Sequence, residues 1–306
     1  MRRMTSAFTG LLAYPITPLD ADGDVDLDAL EVLVGRAVEA GTDGVVVLAT
    51  SGAGTSFDDD ERDAVVRVAV SAAGGAPVHA GVAGGSAHRV AGRARAMADA
   101  GAAGLVLPPF AYLPLDDAEV RALYARVAAA APESPVCFYN KPVQLGYDVS
   151  PALLADLVAD RSVVAVKDPA ALPSRPSGRV AGLRDAAPGV AVGLSGDAAL
   201  LDGAEAADAW HTGLAALAPA EYVAVRRARV AGLDGGGRGQ DTGGAAPARA
   251  WLLDLARAVA ATGRPVTALH AVASLLGTPT APPRDALVPL TAADEAVLRD
   301  VVARRP

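Results

Sequence analysis

Eight short apolar runs alternate with stretches of helical periodicity along most of this sequence. The runs are Gly10–Tyr14, Gly44–Leu48, Val78–Val82, Gly104–Leu107, Val136–Tyr139, Val163–Lys167, Val190–Leu194 and Ala207–His211. Strands that alternate with helices pair in parallel through crossover connections. Continuous apolar strands are typical of a sheet that is covered on both faces. The pattern therefore predicts an α/β fold of the closed (β/α)8 TIM-barrel class.

The predicted helices support this repeat. They are Leu27–Ala40, Asp59–Ala73, Ala87–Ala100, Asp117–Ala130, Pro151–Asp160, Arg175–Ala187, Ala198–Glu205 and Pro219–Ala231. Five of them follow a typical capping residue: Asp26, Asp58, Ser86, Asp116 or Ser150. A doubly wound open sheet is the alternative fold. It is disfavoured because no Gly-x-Gly-x-x-Gly turn follows the first run.

The sequence after the last run has a different character. Gly232–Gly244 is rich in glycine, which predicts a flexible connector. Helical patterns follow at Ala248–Thr262, Pro265–Leu276 and Ala292–Ala303. With no strand left to cover, these helices are expected to pack as an appendage on the barrel or on a neighbouring subunit. We thus predict a barrel with the active site in residues 1–233, and a connector with C-terminal helices in residues 234–306.

Composition excludes several classes of function. The net charge of −8 and the scattered arginines argue against a nucleic-acid partner. No apolar run is long enough to span a membrane, and the start Met1–Ser6 does not resemble a signal peptide. The single cysteine, Cys137, rules out an internal disulfide and a multi-thiolate metal site. These features predict a cytoplasmic protein.

Lysine is scarce in this sequence. It has 27 basic residues, of which 25 are arginines and only two, Lys141 and Lys167, are lysines. Lys167 closes an apolar run at the strand end where barrel active sites gather. Unlike arginine, a desolvated lysine can lose its proton and attack a carbonyl. The alternative is that Lys167 only ends a core strand at its solvent-exposed end.

Strand alternation predicts the surroundings of Lys167. If Lys167 faces the lumen, Val163 and Ala165 face it too, whereas Val164 and Val166 face the helices. Small apolar neighbours lower the pKa of a buried amine.

Two further groups lie at strand ends. Tyr139 ends the fifth run, with Cys137 on the same face, and a tyrosine beside a lysine can carry protons. Thr50, Ser51 and Gly52 follow the second run and offer hydroxyl and backbone N–H groups to a carboxylate. Each also has a purely structural interpretation: Tyr139 can be a packing residue, and Thr50, Ser51 and Gly52 can form a simple turn.

Taken together, these residues resemble one family along essentially the whole chain. It is the dihydrodipicolinate synthase and N-acetylneuraminate lyase family, class I aldolases on a (β/α)8 barrel. The matching elements, in order, are Tyr14–Leu19 with Asp22–Asp26, Ala49–Gly52, Phe138–Pro142, Val164–Asp168 and Leu194–Asp197.

The resemblance implies a chemistry. Lys167 would form a Schiff base with pyruvate or another 2-oxo acid, and Tyr139 would carry protons. No metal or organic cofactor is implied. The implied substrate-binding residues are Thr50, Ser51, Gly52, Ser195 and Gly196. We also expect a homo-oligomer, a dimer or a tetramer.

The sequence departs from the synthases of the family at three positions. Ala53 replaces a polar residue, Phe110 stands where synthases place a proton-relaying tyrosine lent by a partner subunit, and Gln144 stands where they carry a substrate-binding arginine. Tyr112, two residues from Phe110, is a candidate to compensate. These departures disfavour aspartate semialdehyde as second substrate.

We therefore predict a Schiff-base lyase, an aldolase or dehydratase acting on pyruvate or a 2-keto-3-deoxy sugar acid. Dihydrodipicolinate synthase (4-hydroxy-tetrahydrodipicolinate synthase) and N-acetylneuraminate lyase are the alternatives within the family. A non-catalytic barrel that binds a small oxo acid is the alternative of another class.

Several residues have two interpretations. Lys141 is either a cation for an acidic substrate or a solvated loop lysine. His211 either meets substrate or is a rim histidine bonded to backbone. His79 is expected in the core. The acidic run Asp58–Glu61 is interpreted as a helix start rather than a metal site.

Overall fold

Eight parallel strands form a closed barrel in chain order, with the last strand paired to the first. The computed structural model describes residues 7–172, 178–234, 244–284 and 286–306. The strands are β1 Gly10–Ala13, β2 Gly44–Val47, β3 Val78–Gly81, β4 Gly104–Leu107, β5 Val136–Tyr139, β6 Ala165–Pro169, β7 Ala191–Ser195 and β8 Ala209–Thr212. The predicted (β/α)8 barrel is confirmed.

Ten helices accompany the strands in this part of the described chain. They are α1 Leu27–Glu39, α2 Asp59–Ala72, α3 Ala87–Asp99, α4 Asp117–Ala130, α5 Pro142–Leu145, α6 Pro151–Ala159, α7 Arg179–Ala186, α8 Asp197–Leu201, α9 Leu214–Leu217 and α10 Pro219–Asp234. Helices α5 and α9 are single turns, too short to give a periodic signal in the sequence. The prediction for α8 was too long, because that helix ends at Leu201. The predicted start of α7 at Arg175 lies outside the described residues.

The acidic run at the start of α2 caps that helix. Asp58 accepts a hydrogen bond from the Glu61 backbone N–H, and the Glu61 carboxylate accepts one from the Asp58 backbone. Asp59 pairs with Arg93, and Glu61 pairs with Arg284. The predicted role as a helix start is confirmed.

The lumen of the barrel is filled by small and aromatic side chains. The buried residues of this inner cluster are Phe8, Leu12, Tyr14, Val46, Ala49, Val106, Cys137, Tyr139, Ala165, Ala191 and Ala209. Phe8, which precedes β1, stacks on His79 with ring centroids 4.2 Å apart. His79 is therefore a core residue, as expected.

The predicted facing of the four residues before Lys167 is correct for only two of them. Ala165 faces the lumen and Val166 the helix layer, as expected. Val163 instead packs in the helix layer, and Val164 packs against the lumen cluster. The reason is that the strand begins only at Ala165, so alternation does not extend back to Val163.

The C-terminal helices pack on the barrel of the same chain. They are α11 Ala245–Ala261, α12 Pro265–Leu275 and α13 Ala292–Ala303. Helix α11 contacts α8 and α10, and α12 contacts α9. Of the predicted connector, residues 232–234 end α10, and residues 235–243 lie outside the described chain. No helix among the described residues is long and apolar enough to cross a membrane.

Candidate active site

The Lys167 amine lies inside the barrel between two phenol rings. Its Nζ atom is 3.8 Å from the centroid of the Tyr14 ring and 3.9 Å from that of Tyr139. The residue is only 4% exposed. Burial lowers the pKa of Lys167 to about 7, although nearby Cys137 and Asp197 favour the charged form. A large fraction of the amine is therefore neutral at physiological pH.

A polar contact outside the lumen fixes the ends of β5 and β6. Tyr139 lies opposite Lys167 in the register of the two strands. The next residue on each strand turns outward, and the buried Asn140 amide donates to the Asp168 carboxylate at 2.7 Å. Asn140 also donates to Asp148 at 2.9 Å. These bonds hold Tyr139 beside Lys167.

Tyr14 and His211 form a buried pair next to the lysine. The Tyr14 hydroxyl and His211 Nδ1 are 2.6 Å apart. Burial raises the pKa of Tyr14 and lowers the pKa of His211, so both groups are neutral. The His211 ring has room because β7 carries Gly193, where a Cβ would lie 2.0 Å from its Nε2. His211 is therefore not the rim histidine bonded to backbone that was one of its two interpretations: Nδ1 pairs with a side chain, and Nε2 has no hydrogen-bond partner among the described residues.

The loop after β2 is held in a strained shape. Leu48 has a left-handed backbone with φ of 59°. Gly54 and Gly81 approach its carbonyl oxygen so closely that a Cβ on either would lie 1.9 or 2.3 Å from it. The fully buried Arg62 of α2 donates to the carbonyl oxygens of Gly54 and Gly81. This guanidinium fixes the loop that carries Thr50, which sequence reasoning did not foresee.

Donors for a carboxylate are available in that loop. Within the described chain, the backbone N–H groups of Ser51 and Gly52 donate no hydrogen bond. The Gly52 carbonyl is held by the Thr17 hydroxyl at 2.9 Å. The Ser51 hydroxyl lies toward the end of β8, where a Cβ on Gly213 would be 3.0 Å from it. The loop can thus present N–H and hydroxyl groups to an anion.

Lys141 is half-buried and contacts residues of the site. Its Nζ donates to Thr50 Oγ1 at 2.9 Å, and that hydroxyl is 3.3 Å from the Tyr139 hydroxyl. Burial lowers the pKa of Lys141, and the neighbouring charge of Lys167 lowers it further. Among the described residues, no carboxylate lies within ion-pair distance of it. These contacts favour a place in the site over a freely solvated loop lysine.

Ser195, Gly196 and Asp197 join the end of β7 to the start of α8 on the other side of the site. Ser195 donates to the Asp168 carbonyl at 3.3 Å, and Gly196 has a φ of 108° that favours glycine. The Asp197 carboxylate accepts from the hydroxyls of Thr212 and Tyr222. Burial raises the pKa of Asp197.

Two cavities meet at Tyr139, Lys141 and Gln144. The first, of about 460 Å³, is also lined by Ser51, Ser195, Gly196 and Asp197, and by residues of α11 and α12. The second, of about 420 Å³, is also lined by Thr50, Ala53, Phe110, Leu145 and Arg284. His211 lines neither cavity and reaches the lysine only through Tyr14. Tyr112 is 93% exposed and also lies outside both.

Sequence reasoning missed Tyr14, Asn140 and Asp197 as functional groups. Tyr14 closes the first apolar run as Tyr139 closes the fifth, and this was the available signal. Asn140 and Asp197 belong to the matching elements but had no assigned role. The assembled site holds a partly neutral amine, a phenol linked to a hydroxyl, and free N–H donors. Such a set can form and break imines of carbonyl compounds.

Comparisons with known proteins agree with this chemistry. Residues 7–304 match the Dihydrodipicolinate synthetase family. The chain is 32% identical over 303 residues to a 4-hydroxy-tetrahydrodipicolinate synthase of Synechococcus sp., covering 97% of this chain and 95% of that protein. A crystal structure of dihydrodipicolinate synthase from Agrobacterium tumefaciens superposes with a TM-score of 0.87 at 28% identity, over 99% of this chain and 100% of the other. The sialic acid aldolase of Ruminococcus gnavus shares the fold, with a TM-score of 0.83 at 18% identity over 97% of both chains.

Proposed function

The chain belongs to the dihydrodipicolinate synthetase family, whose members are lyases of the aldolase type, and we propose that it forms a Schiff base with a 2-oxo acid. The proposed substrate is pyruvate or a 2-keto-3-deoxy sugar acid, and the proposed reaction is aldol cleavage, its reverse, or dehydration. The observation that carries the proposal is the buried Lys167 amine, held between two phenol rings with its pKa lowered to about 7.

The reaction begins at the neutral amine of Lys167. Nitrogen attacks the ketone carbon of the 2-oxo acid and gives a carbinolamine after proton transfer to oxygen. The carbinolamine loses water as the nitrogen lone pair closes the C=N bond. The resulting iminium withdraws electrons from the adjacent carbon, so a neighbouring C–C or C–O bond can break and leave an enamine.

Two groups of residues orient the substrate in this scheme. The free backbone N–H groups of Ser51 and Gly52, with the Ser51 hydroxyl, receive the carboxylate, while the Thr50 hydroxyl is engaged with Lys141 and Tyr139. Ser195 and Gly196 line the cavity in which the rest of the substrate lies. Tyr139 touches the lysine and hands protons to the carbinolamine oxygen and to the departing or attacking oxygen.

The cavity lining favours an aldolase or dehydratase over a synthase. Of the described residues that line the first cavity, none is an arginine, and Gln144 is neutral. The carboxylate of aspartate semialdehyde would therefore find no bidentate guanidinium partner there. Synthase activity, which the names of the Synechococcus and Agrobacterium relatives state, is the second candidate. N-Acetylneuraminate lyase activity is the third.

A non-catalytic barrel that only binds an oxo acid is the candidate of another class. It would need no nucleophile near the ligand and no proton carrier beside it. The 3.9 Å contact between the Lys167 amine and the Tyr139 ring argues against it.

Reductive trapping tests the proposal directly. We expect incubation with pyruvate and borohydride to add one pyruvate-derived group at Lys167, mapped by mass spectrometry of peptides. The other lysine of the chain, Lys141, serves as an internal control for non-specific reductive alkylation. Lys167→Met should abolish the adduct and turnover. Absence of an adduct with pyruvate and with a panel of 2-oxo acids would refute the Schiff-base function.

A substrate screen then separates the candidates. Aldehyde acceptors and sugar acids are tested with the protein that forms the adduct. Cleavage of a 2-keto-3-deoxy sugar acid to pyruvate would support the aldolase, and condensation with aspartate semialdehyde would support the synthase.

We propose in addition a cytoplasmic homo-oligomer, a dimer or a tetramer. Phe110, Tyr112 and Leu113 are apolar side chains exposed in one loop, which supports burial of this loop against another copy. Light scattering of the purified protein measures the mass, and a monomer would contradict this part of the proposal.

A further inference from the structure

We propose that Lys141 is the outer end of a proton relay that runs through the Thr50 hydroxyl and the Tyr139 phenol to the substrate oxygen. The inference rests on the Schiff-base function proposed above and supplies the proton which that chemistry consumes. Lys141 Nζ lies 2.9 Å from Thr50 Oγ1, and this oxygen lies 3.3 Å from Tyr139 Oη. The three groups form one chain from the shared edge of the two cavities to the lumen.

The chemistry of the groups gives the chain a direction. A lysine ammonium group only donates hydrogen bonds, so the Thr50 oxygen must accept from Lys141. The Thr50 hydrogen is then free to point at the Tyr139 oxygen. The Tyr139 hydrogen is in turn left for the lumen, where the ring contacts the Lys167 amine. In the proposed relay each hydrogen is thus passed inward, from Lys141 to Thr50 and from Thr50 to Tyr139.

Lys141, the outer group of the relay, can regain its proton from water. Lys141 is half-buried and lines both cavities, so its amine reaches water from either side. No carboxylate of the described chain holds it in an ion pair. The titratable groups that face it are Tyr139 and Lys167, while Asp197 and Arg284 lie across the first and second cavities. Burial lowers its pKa, Tyr139 opposes this shift and the Lys167 charge adds to it, so Lys141 is a stronger acid than an exposed lysine.

The proton balance of the step is complete. As the carbinolamine C–O bond breaks, the leaving oxygen takes the Tyr139 proton and departs as water. Tyr139 takes the Thr50 proton, Thr50 takes one from the Lys141 ammonium, and the nitrogen lone pair of Lys167 closes the C=N bond. Lys141 is left as a neutral amine and regains a proton from water in the cavities.

Phe110 of the same chain offers Thr50 no proton. Phe110 lines the second cavity beside Thr50 and carries no hydroxyl, so it passes no proton. Lys141 is the group that contacts Thr50 from outside.

The rate of Schiff-base formation tests the relay without knowledge of the second substrate. The protein is mixed with pyruvate, quenched with borohydride at increasing times, and the Lys167 adduct is measured by mass spectrometry from pH 5.5 to 10. In the unaltered protein the rate should rise as Lys167 loses its proton and fall as Lys141 loses its own. Lys141→Met should slow adduct formation about tenfold or more and remove the fall at high pH.

The conservative variant separates proton transfer from charge. Lys141→Arg keeps the positive charge and a donor for Thr50, but a guanidinium does not release its proton in this range. We expect it to be as slow as Lys141→Met, with the same final adduct yield as the unaltered protein. Thr50→Val should slow adduct formation too. The double variant with Lys141→Met should be no slower than either single variant, because both substitutions interrupt the same proton relay.

Two outcomes would overturn the relay. One is an unchanged rate in Lys141→Met; the other is full recovery of rate and pH profile in Lys141→Arg, which would leave Lys141 only a positioning role. Failure of the proposed function looks different, since the unaltered protein would then form no adduct at all. Arg67→Met, on the exposed face of α2, controls for the loss of a surface cation and should leave the rate unchanged.

Discussion

The amine of Lys167 is subject to two opposing effects at the residue scale. The faces of two aromatic rings favour the ammonium form, typically by about 0.5–2 kcal/mol each. Removal from water favours the neutral form, and it prevails, because the pKa falls from 10.5 to about 7. A fall of this size corresponds to roughly 5 kcal/mol. The barrel lumen therefore destabilises the charge that the rings alone would hold.

This balance predicts the pH dependence of Lys167. Nucleophilic attack needs the neutral amine, so the rate of adduct formation with pyruvate should increase tenfold per pH unit below about pH 7 and level off above it, before the fall expected where Lys141 loses its own proton. The lowered pKa also means that the folded state binds fewer protons than the unfolded chain between pH 7 and 10.5. Stability should thus rise with pH through that window, and Lys167→Met should lack this rise.

Two measurements check the expectation: borohydride-trapped adduct against pH, and urea unfolding of the protein and of Lys167→Met at pH 6 and pH 9. A rate that begins to rise only near pH 10 would show that the lumen does not lower the pKa of Lys167.

Single residues also mark how far the site was predictable. Lys167 and Tyr139 were found because a polar group at the end of an apolar strand must lie at the barrel mouth. Tyr14 and His211 were not paired in advance, since their contact joins β1 to β8 across 197 residues. The space for His211 depends on Gly193 of β7, and only the closed barrel brings the three strands together.

At the scale of elements, the loop between β2 and α2 depends on one buried guanidinium. Arg62 is fully buried and donates to carbonyl oxygens on both sides of the strained Leu48 turn. Burial lowers the pKa of Arg62 to about 10, so it remains charged at neutral pH. Removing it would leave two buried carbonyl groups without a donor.

We therefore expect Arg62→Met to destabilise the protein by about 2–4 kcal/mol and to weaken the binding of pyruvate. Arg67→Met is the matched control on the same helix, because its exposed i,i+4 pair with Asp63 contributes only about 0.5 kcal/mol. Urea unfolding gives the stability, and the pyruvate concentration that half-saturates adduct formation gives the binding. Equal effects of the two substitutions would contradict the role of Arg62.

The limits of sequence reasoning at this scale have a physical cause. Every strand was located, since apolar runs report burial. The predicted orientation of Val163 and Val164 was wrong, because the burial of an apolar run does not show at which residue the strand, and with it the alternation of side chains, begins. Arg62 gave no signal in the sequence either, because an arginine in a helix is ordinarily exposed.

At the scale of the whole molecule, the C-terminal helices complete the active site. Ala256 and Val259 of α11 and Leu269 of α12 line the first cavity. Helix α13 supports α11 from behind, where Trp251 Nε1 donates to the Val301 carbonyl at 2.8 Å. The sequence predicted these helices and their packing on a barrel, but not that they form a wall of the cavity, since nothing in their periodicity identifies a neighbour.

Trp251→Ala should consequently affect both stability and binding. Loss of this buried ring is expected to destabilise the protein by about 3–5 kcal/mol. It should raise the half-saturating pyruvate concentration while the rate at saturation changes little, because the lysine chemistry is built on other elements. Val297→Ala, at an exposed position of α13, is the control and should change stability by less than about 0.5 kcal/mol. A large effect on the saturated rate alone would contradict this view.

The placement of both lysines in one site has a consequence for covalent modification. Proteins commonly receive acetyl and other acyl groups on surface lysines, with little effect on activity. This chain has no lysine outside the site, because Lys167 is enclosed by two rings and Lys141 lies at the shared edge of the cavities. Every side-chain acylation of a lysine in this protein therefore falls on the proposed site, with Lys141 as the more accessible target, and under the proposed function the modified fraction should equal the inactivated fraction.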